Sequence, residues 1–404
     1  MKVALVSEHA SPLACLGGVD AGGQNVHVAA LATALARRGH QVEVLTRADQ
    51  PGLSHRVTMA PGVQVVHVVA GPPEPIPKDD LWQHMTAFSD RLNRHFDSYP
   101  PDLVHAHFWM SGWAAARALT GATTPLLQTF HALGTVKRRW QGAADTSPSA
   151  RLGVEADLAA SVDRIIATCR DEVAELRAMG ASDTQVDVVP CGVDLELFTP
   201  SGVVLPRSDR ARLLILGRLV ARKGLADAIR AMPMIPDAEL IIAGGPDSAE
   251  LARDAEAVRL TELAAACGVA DRVRLLGRVG RSDLPALIRS CDVMVAVPWY
   301  EPFGIVPLEA MACGVPVIAS AVGGLTDTVV DGVTGLLVPP RDPDLLAVTV
   351  NRLLADRPLR RTMGRAGYRR VQSRYGWDAI ARGTENSYRA AVQARSMAAE
   401  VGKA

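Results

Sequence analysis

The sequence predicts an α/β protein built from two doubly wound, parallel-sheet domains. Three observations carry that prediction. Short, continuously apolar runs of the kind that make buried parallel strands alternate with helical patterns. The alternation breaks in a polar, irregular stretch near residue 200 and then starts again. At 404 residues, 48 % apolar and 21 % charged, the chain is long enough to bury two cores.

The balance of charge narrows the partners. Lys plus Arg equals Asp plus Glu, at 43 each, so nothing global argues for nucleic acid or an acidic membrane surface. The cationic run KRRW (Lys137 to Trp140) is read as a solvated loop. No apolar run reaches the roughly 18 residues that span a bilayer, and MKVALVSEH enters a strand directly, so neither membrane association nor a signal peptide is expected. The six cysteines lack paired or metal-ligand spacing, a reduced, cytoplasmic pattern. Cys15 stands apart from the rest because it falls in an expected active-site loop.

Taken in order, Val3 to Ser7 is the first buried strand. The loop EHASPLACLGGVDAGG leads to a helix from about Gln24 to Arg38, ended by Gly39, and Val42 to Thr46 is the next strand. This opening has the layout of a dinucleotide-binding unit, but its glycines do not fit G-x-G-x-x-G. Thr46 and Arg47 also stand where a ribose-binding acid would be, so an oxidoreductase is disfavoured. Further strands are expected at Val63 to Val69, Leu103 to His107, Leu126 to Thr129, Arg164 to Thr168 and Gln185 to Val189. PPEPIP (Pro72 to Pro77) is a rigid loop. The linker is placed near Thr199, giving a first domain over 1–199 and a second over 200–376.

In the second domain, five buried strands are expected: Ala211 to Arg218, Ala238 to Gly245, Arg272 to Val279, Asp292 to Pro298 and Val315 to Ser320. GVTGLLVPP (Gly332 to Pro340) adds a sixth, and the remainder is helical. The Asp-x-Asp at Asp342 to Asp344 has the letters of a divalent-metal site. It precedes LLAVTVNRLL, however, and reads better as a helix start, with Asp342 as N-cap and Pro343 at the first helical position. No other Asp, Glu or His group has ligand spacing, so no metal is expected.

The chemistry centres on EPFGIVPLE, Glu301 to Glu309. It follows an apolar strand and precedes EAMACG, read as a short helix with Pro307 at its first position. Gly304 lets backbone approach a ligand, and the turn aims a helix N-terminus, suited to phosphate, above the sheet. Two carboxylates bracket that anion site, and carboxylates accept from sugar and ribose hydroxyls. The combination suggests a nucleotide sugar. GRLVARKG (Gly217 to Gly224) follows the second domain's first strand, so Arg218 and Lys223 emerge on the same strand-end side, where fixed cations would stabilise a departing diphosphate.

The setting E-P-F-G-x-x-x-x-E, the Arg-x4-Lys pair, FHALG (Phe130 to Gly134), LLGRVG (Leu275 to Gly280) and GGVDAGGQNVHV resemble family four of the retaining glycosyltransferases. The resemblance covers nearly the whole chain and is nearest to the subgroup of sucrose-phosphate synthase and the inositol-phosphate glycosyltransferases. It implies the GT-B fold, two Rossmann-like domains with a cleft between them, and a last helix, within 377–404, that crosses back to the first domain. It implies transfer of a hexosyl unit from a nucleotide-diphosphate sugar, UDP-glucose or UDP-N-acetylglucosamine, to a small, phosphorylated acceptor. No cofactor is needed, the α configuration is retained by front-face substitution, and a homodimer is left open.

The same resemblance assigns residues. His131, Arg218, Lys223 and Glu301 are expected to be catalytic, with His131 meeting the donor sugar from across the cleft. Gly22, Gly23, Arg278, Phe303, Gly304, Ile305, Val306 and Glu309 are expected to bind the donor. Asn25, Lys78 and Arg151 are expected to bind the acceptor, whereas Trp109 and Ala132 depart from the hydroxyl-bearing side chains of the inositol-phosphate enzymes. His105 and His107 alternate on one face of a strand and are read as core. Two alternatives on the same fold remain: a nucleotide-sugar epimerase or isomerase, and a non-catalytic sugar-nucleotide sensor.

Overall fold

The structure is a computed structural model that describes residues 1–14 and 22–401; Cys15 lies outside the described residues. The chain divides into two units. One comprises Met1–Pro190 with the final helix Trp377–Val401, and the other Cys191–Gly376.

The first unit is an eight-stranded sheet of β1 (Lys2–Val6), β2 (Gln41–Arg47), β3 (Arg56–Ala60), β4 (Val63–Val68), β5 (Leu103–His107), β6 (Leu126–Thr129), β7 (Arg164–Ala167) and β8 (Val186–Val188). Their order is β3-β4-β2-β1-β5-β6-β7-β8, parallel except for the β3–β4 hairpin. The fully buried runs of β1, β5 and β6 are those that parallel sheets covered on both faces require. β3 is a strand the sequence reading passed over. Its residues are half exposed, so no apolar run marks it.

The second unit is a six-stranded, all-parallel sheet of β9 (Ala211–Leu216), β10 (Ala238–Ala243), β11 (Val273–Gly277), β12 (Val293–Ala296), β13 (Val317–Ser320) and β14 (Gly335–Val338). The order is β11-β10-β9-β12-β13-β14. In each sheet the order reverses beside the first strand, between β1 and β5 and between β9 and β12. Ligands of open α/β sheets bind outside the strand C-termini at such points.

Three sequence expectations are corrected. The boundary falls after Pro190 rather than at Thr199, because Cys191, Val193 and Phe198 are buried among Leu214, Met294 and Met311 of the second core. The helix of the EPFG segment runs Ile305–Ala312, starting before the expected Glu309, and Pro307 is its third residue. Pro307 is tolerated there because an N–H in the first turn has no carbonyl to meet within the helix. Asp342 does cap the helix Pro343–Ala355, accepting from the Leu345 N–H at 2.9 Å. The final helix is tied into the first unit through Tyr388, whose hydroxyl meets His105 Nδ1 at 2.8 Å, and Glu385, which accepts from Arg38 Nε at 2.8 Å.

Candidate active site

The second unit brings a cationic loop and a glutamate together at the β9/β12 switch point. Gly224, at φ 71°, follows the cationic loop, and a Cβ there would lie 1.9 Å from the Val297 carbonyl oxygen, just past β12. Only glycine lets the two loops seat this closely. The Trp299 N–H donates to the Arg222 carbonyl at 2.8 Å, fastening them. In consequence Lys223 Nζ donates to Glu301 Oε2. Burial pushes the Glu301 carboxyl upward, but Lys223, Arg222 and Arg218 outweigh it and hold its pKa below the ordinary value. Glu301 is therefore an ionised acceptor beside three cations.

The turn that follows is braced by residues the sequence reading did not single out. Gly324 N–H donates to the Glu301 carbonyl at 3.0 Å. A Cβ on Gly323 (φ 48°) would lie 2.2 Å from that same oxygen. Gly304 adopts φ 89° as N-cap, and a Cβ there would meet Leu325 at 2.5 Å. Phe303 is buried in the core and anchors the turn. Ile305 and Val306 are the first two helical residues, whose N–H groups no intrahelical carbonyl satisfies.

Glu309 sits one turn into this helix, 4 % exposed. Burial raises its pKa to about 7, while Arg281, donating from Nη1 at 3.1 Å, pulls it back down. Arg281 also lies over the Phe198 ring at 5.2 Å. Arg278, the arginine within LLGRVG expected to bind the donor at its base, pairs with Asp247 at 3.2 Å and is substantially exposed; Arg281, just past that segment, is the arginine beside the Glu309 carboxylate.

In the first unit, the chain ends of β1, β5 and β6 converge. His131 and Phe108, which follow β6 and β5, both have positive φ, 61° and 82°. Such backbone costs a bulky residue about 1–3 kcal/mol and clusters at functional sites. His131 Nε2 lies 2.9 Å from His107 Nδ1, and its ring stands edge-on to His27 at 5.1 Å. Burial, then the neighbouring imidazoles, hold the pKa of His131 well below its ordinary value, so it is neutral at neutral pH.

Phe108 gathers three groups able to carry positive charge. Lys78 Nζ lies 5.7 Å from its centroid, the Arg151 guanidinium 5.1 Å, and the His9 ring 4.9 Å. His9, absent from the sequence-predicted set, follows β1 directly. Its Nδ1 meets Glu8 Oε1 at 2.7 Å, and that buried carboxylate is itself held by the Ser111 hydroxyl. Its place at the switch point is the signal that could have found it.

The acceptor assignments fare unequally. Lys78 projects beside Phe108 and lies 3.6 Å from Asp79. Arg151, only 2 % exposed, donates to Glu155 at 2.7 Å, Ser147 at 3.1 Å and the Ala132 carbonyl at 2.6 Å. At most two of its five N–H groups remain for a ligand, so its main work is to shape the turn after His131. Asn25 is buried and pins its own loop: Oδ1 accepts from Gly22 N–H at 3.0 Å and Nδ2 donates to the Ser11 carbonyl at 3.0 Å. Gly22 is the extended N-cap of the helix Gly23–Arg37, and its N–H is thus already engaged. Trp109 is buried against Trp82 at 4.7 Å.

Two Rossmann-like units, the second bearing a cationic loop against a glutamate and a helix N-terminus, define a glycosyltransferase of the GT-B class. Residues 21–197 match the model of Glycosyltransferase Family 4, and residues 202–370 match that of Glycosyl transferases group 1. The chain belongs to family four of the glycosyltransferases. It is 39 % identical to a D-inositol 3-phosphate glycosyltransferase of Xylanimonas cellulosilytica over 98 % of both chains. A protein of the same description from Mycolicibacterium smegmatis is 39 % identical over 88 % of this chain and 84 % of its own. Among solved structures, sucrose-phosphate synthase from Thermosynechococcus elongatus superposes with a TM-score of 0.89 at 35 % identity, over 97 % of this chain and 99 % of that one. A more distant Anabaena protein crystallised with UDP and glucose, at 21 % identity and TM-score 0.74 over 96 % and 99 %, shares the fold.

Proposed function

We propose that the protein transfers a hexosyl unit from a nucleoside-diphosphate sugar to a hydroxyl of a small phosphorylated polyol, retaining the α configuration. One observation carries the donor half: Arg218, the Lys223–Glu301 pair and the N-terminus of Ile305–Ala312 meet at the β9/β12 switch point. Arg218, Lys223 and the helix N–H groups stabilise the departing diphosphate. Glu301 accepts donor-sugar hydroxyls, Glu309 accepts from the ribose, and the chain around Arg278 meets the base. His131 is assigned to the donor sugar. A phosphate oxygen of the leaving group takes the acceptor proton, and the new bond forms on the face the leaving group vacates. Neither Glu301 nor a resident metal acts as nucleophile or electrophile in this scheme.

The acceptor half rests on His9 and Lys78 around Phe108, with relatives named for D-inositol 3-phosphate and sucrose phosphate supporting a phosphorylated polyol. An epimerase would have no use for it. The donor proposed is UDP-glucose or UDP-N-acetylglucosamine, and the setting is cytoplasmic. Free thiols at all five described cysteines support a reducing compartment. No described helix is long and apolar enough to cross a membrane. A thermal-shift panel of UDP-, ADP- and GDP-sugars, followed by transfer assays with D-inositol 3-phosphate and hexose phosphates, tests the reading. Stabilisation by a UDP-sugar and a phosphorylated product are expected; no response to any nucleotide sugar would overturn it.

Two further results are expected. Lys78→Ala should raise the acceptor KM roughly tenfold or more, as loss of a charge-assisted contact does, leaving the donor KM unchanged. A change confined to the donor KM would remove Lys78 from the acceptor half. The second concerns pH. Because burial raises Glu309 to about 7, its carboxylate, the form that accepts ribose hydroxyls, accumulates as pH rises through neutrality. A nucleotide sugar carries no phosphate that titrates there. Its Kd should therefore fall roughly tenfold from pH 6 to pH 8, following one ionisation, and Glu309→Gln should bind weakly and flatly. The sign is opposite for stability. A carboxyl raised in the folded state contributes stability below its unfolded pKa and loses it as pH rises through about 7. Calorimetry across that range checks both.

A further inference from the structure

We propose that His27, His107 and His131 form a binding site for one divalent transition-metal ion of the zinc class, and that its occupation blocks transfer. The three come from the helix Gly23–Arg37, from β5 and from the turn after β6, and their ligand nitrogens all lie within 4.8 Å of one another. Imidazole binds zinc at ~2.0–2.1 Å, so a tetrahedral ion shared by all three needs those atoms about 3.4 Å apart, a contraction that rotation of the rings has to supply.

A second observation points the same way. His27 is 5 % exposed, yet its Nδ1 is buried without a hydrogen-bond partner. Buried polar atoms are almost always satisfied, and the exceptions call for a bound ligand or a functional cause. The adjacent His105 is different: Tyr388 and Thr129 engage its two nitrogens at 2.8 and 2.9 Å, so it is a wall and not a ligand. Trp377 stands edge-on to His27 at 5.5 Å. His107 Nδ1 and His131 Nε2, 2.9 Å apart, share a proton that an ion would replace.

The chemistry of the set selects the ion. Three imidazoles without a carboxylate suit zinc, cobalt, nickel or copper and not magnesium or calcium. The fourth position would be open to water. An ion there takes His131 away from the donor sugar. That inhibitory consequence rests on the function proposed above; the binding does not.

Cobalt titration of EDTA-treated protein reads binding directly. A visible d–d band saturating at one equivalent and displaced by zinc is expected. His27→Phe keeps a ring against Trp377 but removes the ligand, and should weaken cobalt by more than the ~10–100-fold typical of losing an outer-shell partner. His107→Asn is the second variant should the first fail to fold, with circular dichroism checking both. No band, or equal affinity in a folded variant, overturns the site. Zinc should also inhibit wild-type transfer, EDTA should restore it, and folded His27→Phe should resist. Binding without inhibition would retain the site and overturn the role given to His131.

Discussion

Replacing Lys223 with alanine is expected to slow transfer by roughly a hundredfold or more, the scale of removing one preorganised charge-stabilising donor. Its ammonium lies on the Glu301 carboxylate, in the loop that follows β9, where the leaving diphosphate is proposed to sit. Arg218→Ala should act on the same scale. The competing explanation is that Lys223 serves only to neutralise Glu301, a half-buried charge that would otherwise lose its hydrogen-bonded partner. The double variant Lys223→Met, Glu301→Gln separates the two. If Lys223 stabilises the leaving group, removing both charges leaves the enzyme slow. If it only balances Glu301, the double variant should turn over, at saturating donor, no more slowly than Glu301→Gln alone. Steady-state release of nucleoside diphosphate reads the outcome, and wild-type turnover in Lys223→Ala would end the assignment.

Glu301→Ala and Glu309→Ala are expected to fail on different ligands. Glu309, inside the helix and facing Arg281, should lose affinity for the free nucleoside diphosphate. Glu301, beside the cations, should bind the free diphosphate nearly normally and lose the intact donor. Each hydrogen bond to a charged group is worth about 1.5–3 kcal/mol, so each selective loss should be on the order of tenfold to a hundredfold. Calorimetry with UDP and with the UDP-sugar, on both variants, gives four affinities. Equal losses for both ligands in both variants would sink this division of labour.

Most strands could be read from the sequence because a strand buried on both faces has to be continuously apolar. β3 escaped because its half-exposed residues carry no such constraint. Glu301, Glu309, Arg218 and Lys223 stood out in the sequence because they belong to local motifs in the segments that follow β12 and β9. Arg281 did not: it follows the LLGRVG segment by one residue, and only the fold brings it back to Glu309. His9 has no motif beyond its place after β1. The histidine cluster had no sequence signature at all, since His27, His107 and His131 belong to separate elements and ligand spacing is a property of neighbours in sequence. Asn25 and Arg151, polar residues near a binding loop, were expected to face a ligand; in the structure Asn25 satisfies the loop's own backbone and Arg151 a buried carboxylate.

Retaining transfer from a nucleotide sugar to a phosphorylated polyol, without a catalytic metal, is the proposal on which the site assignments depend. It is read by NMR of the first product formed from UDP-glucose or UDP-N-acetylglucosamine and D-inositol 3-phosphate, with EDTA present throughout. An α-linked anomeric signal appearing at full rate is expected. A β-linked product, or activity abolished by EDTA and restored by magnesium or manganese, would contradict it.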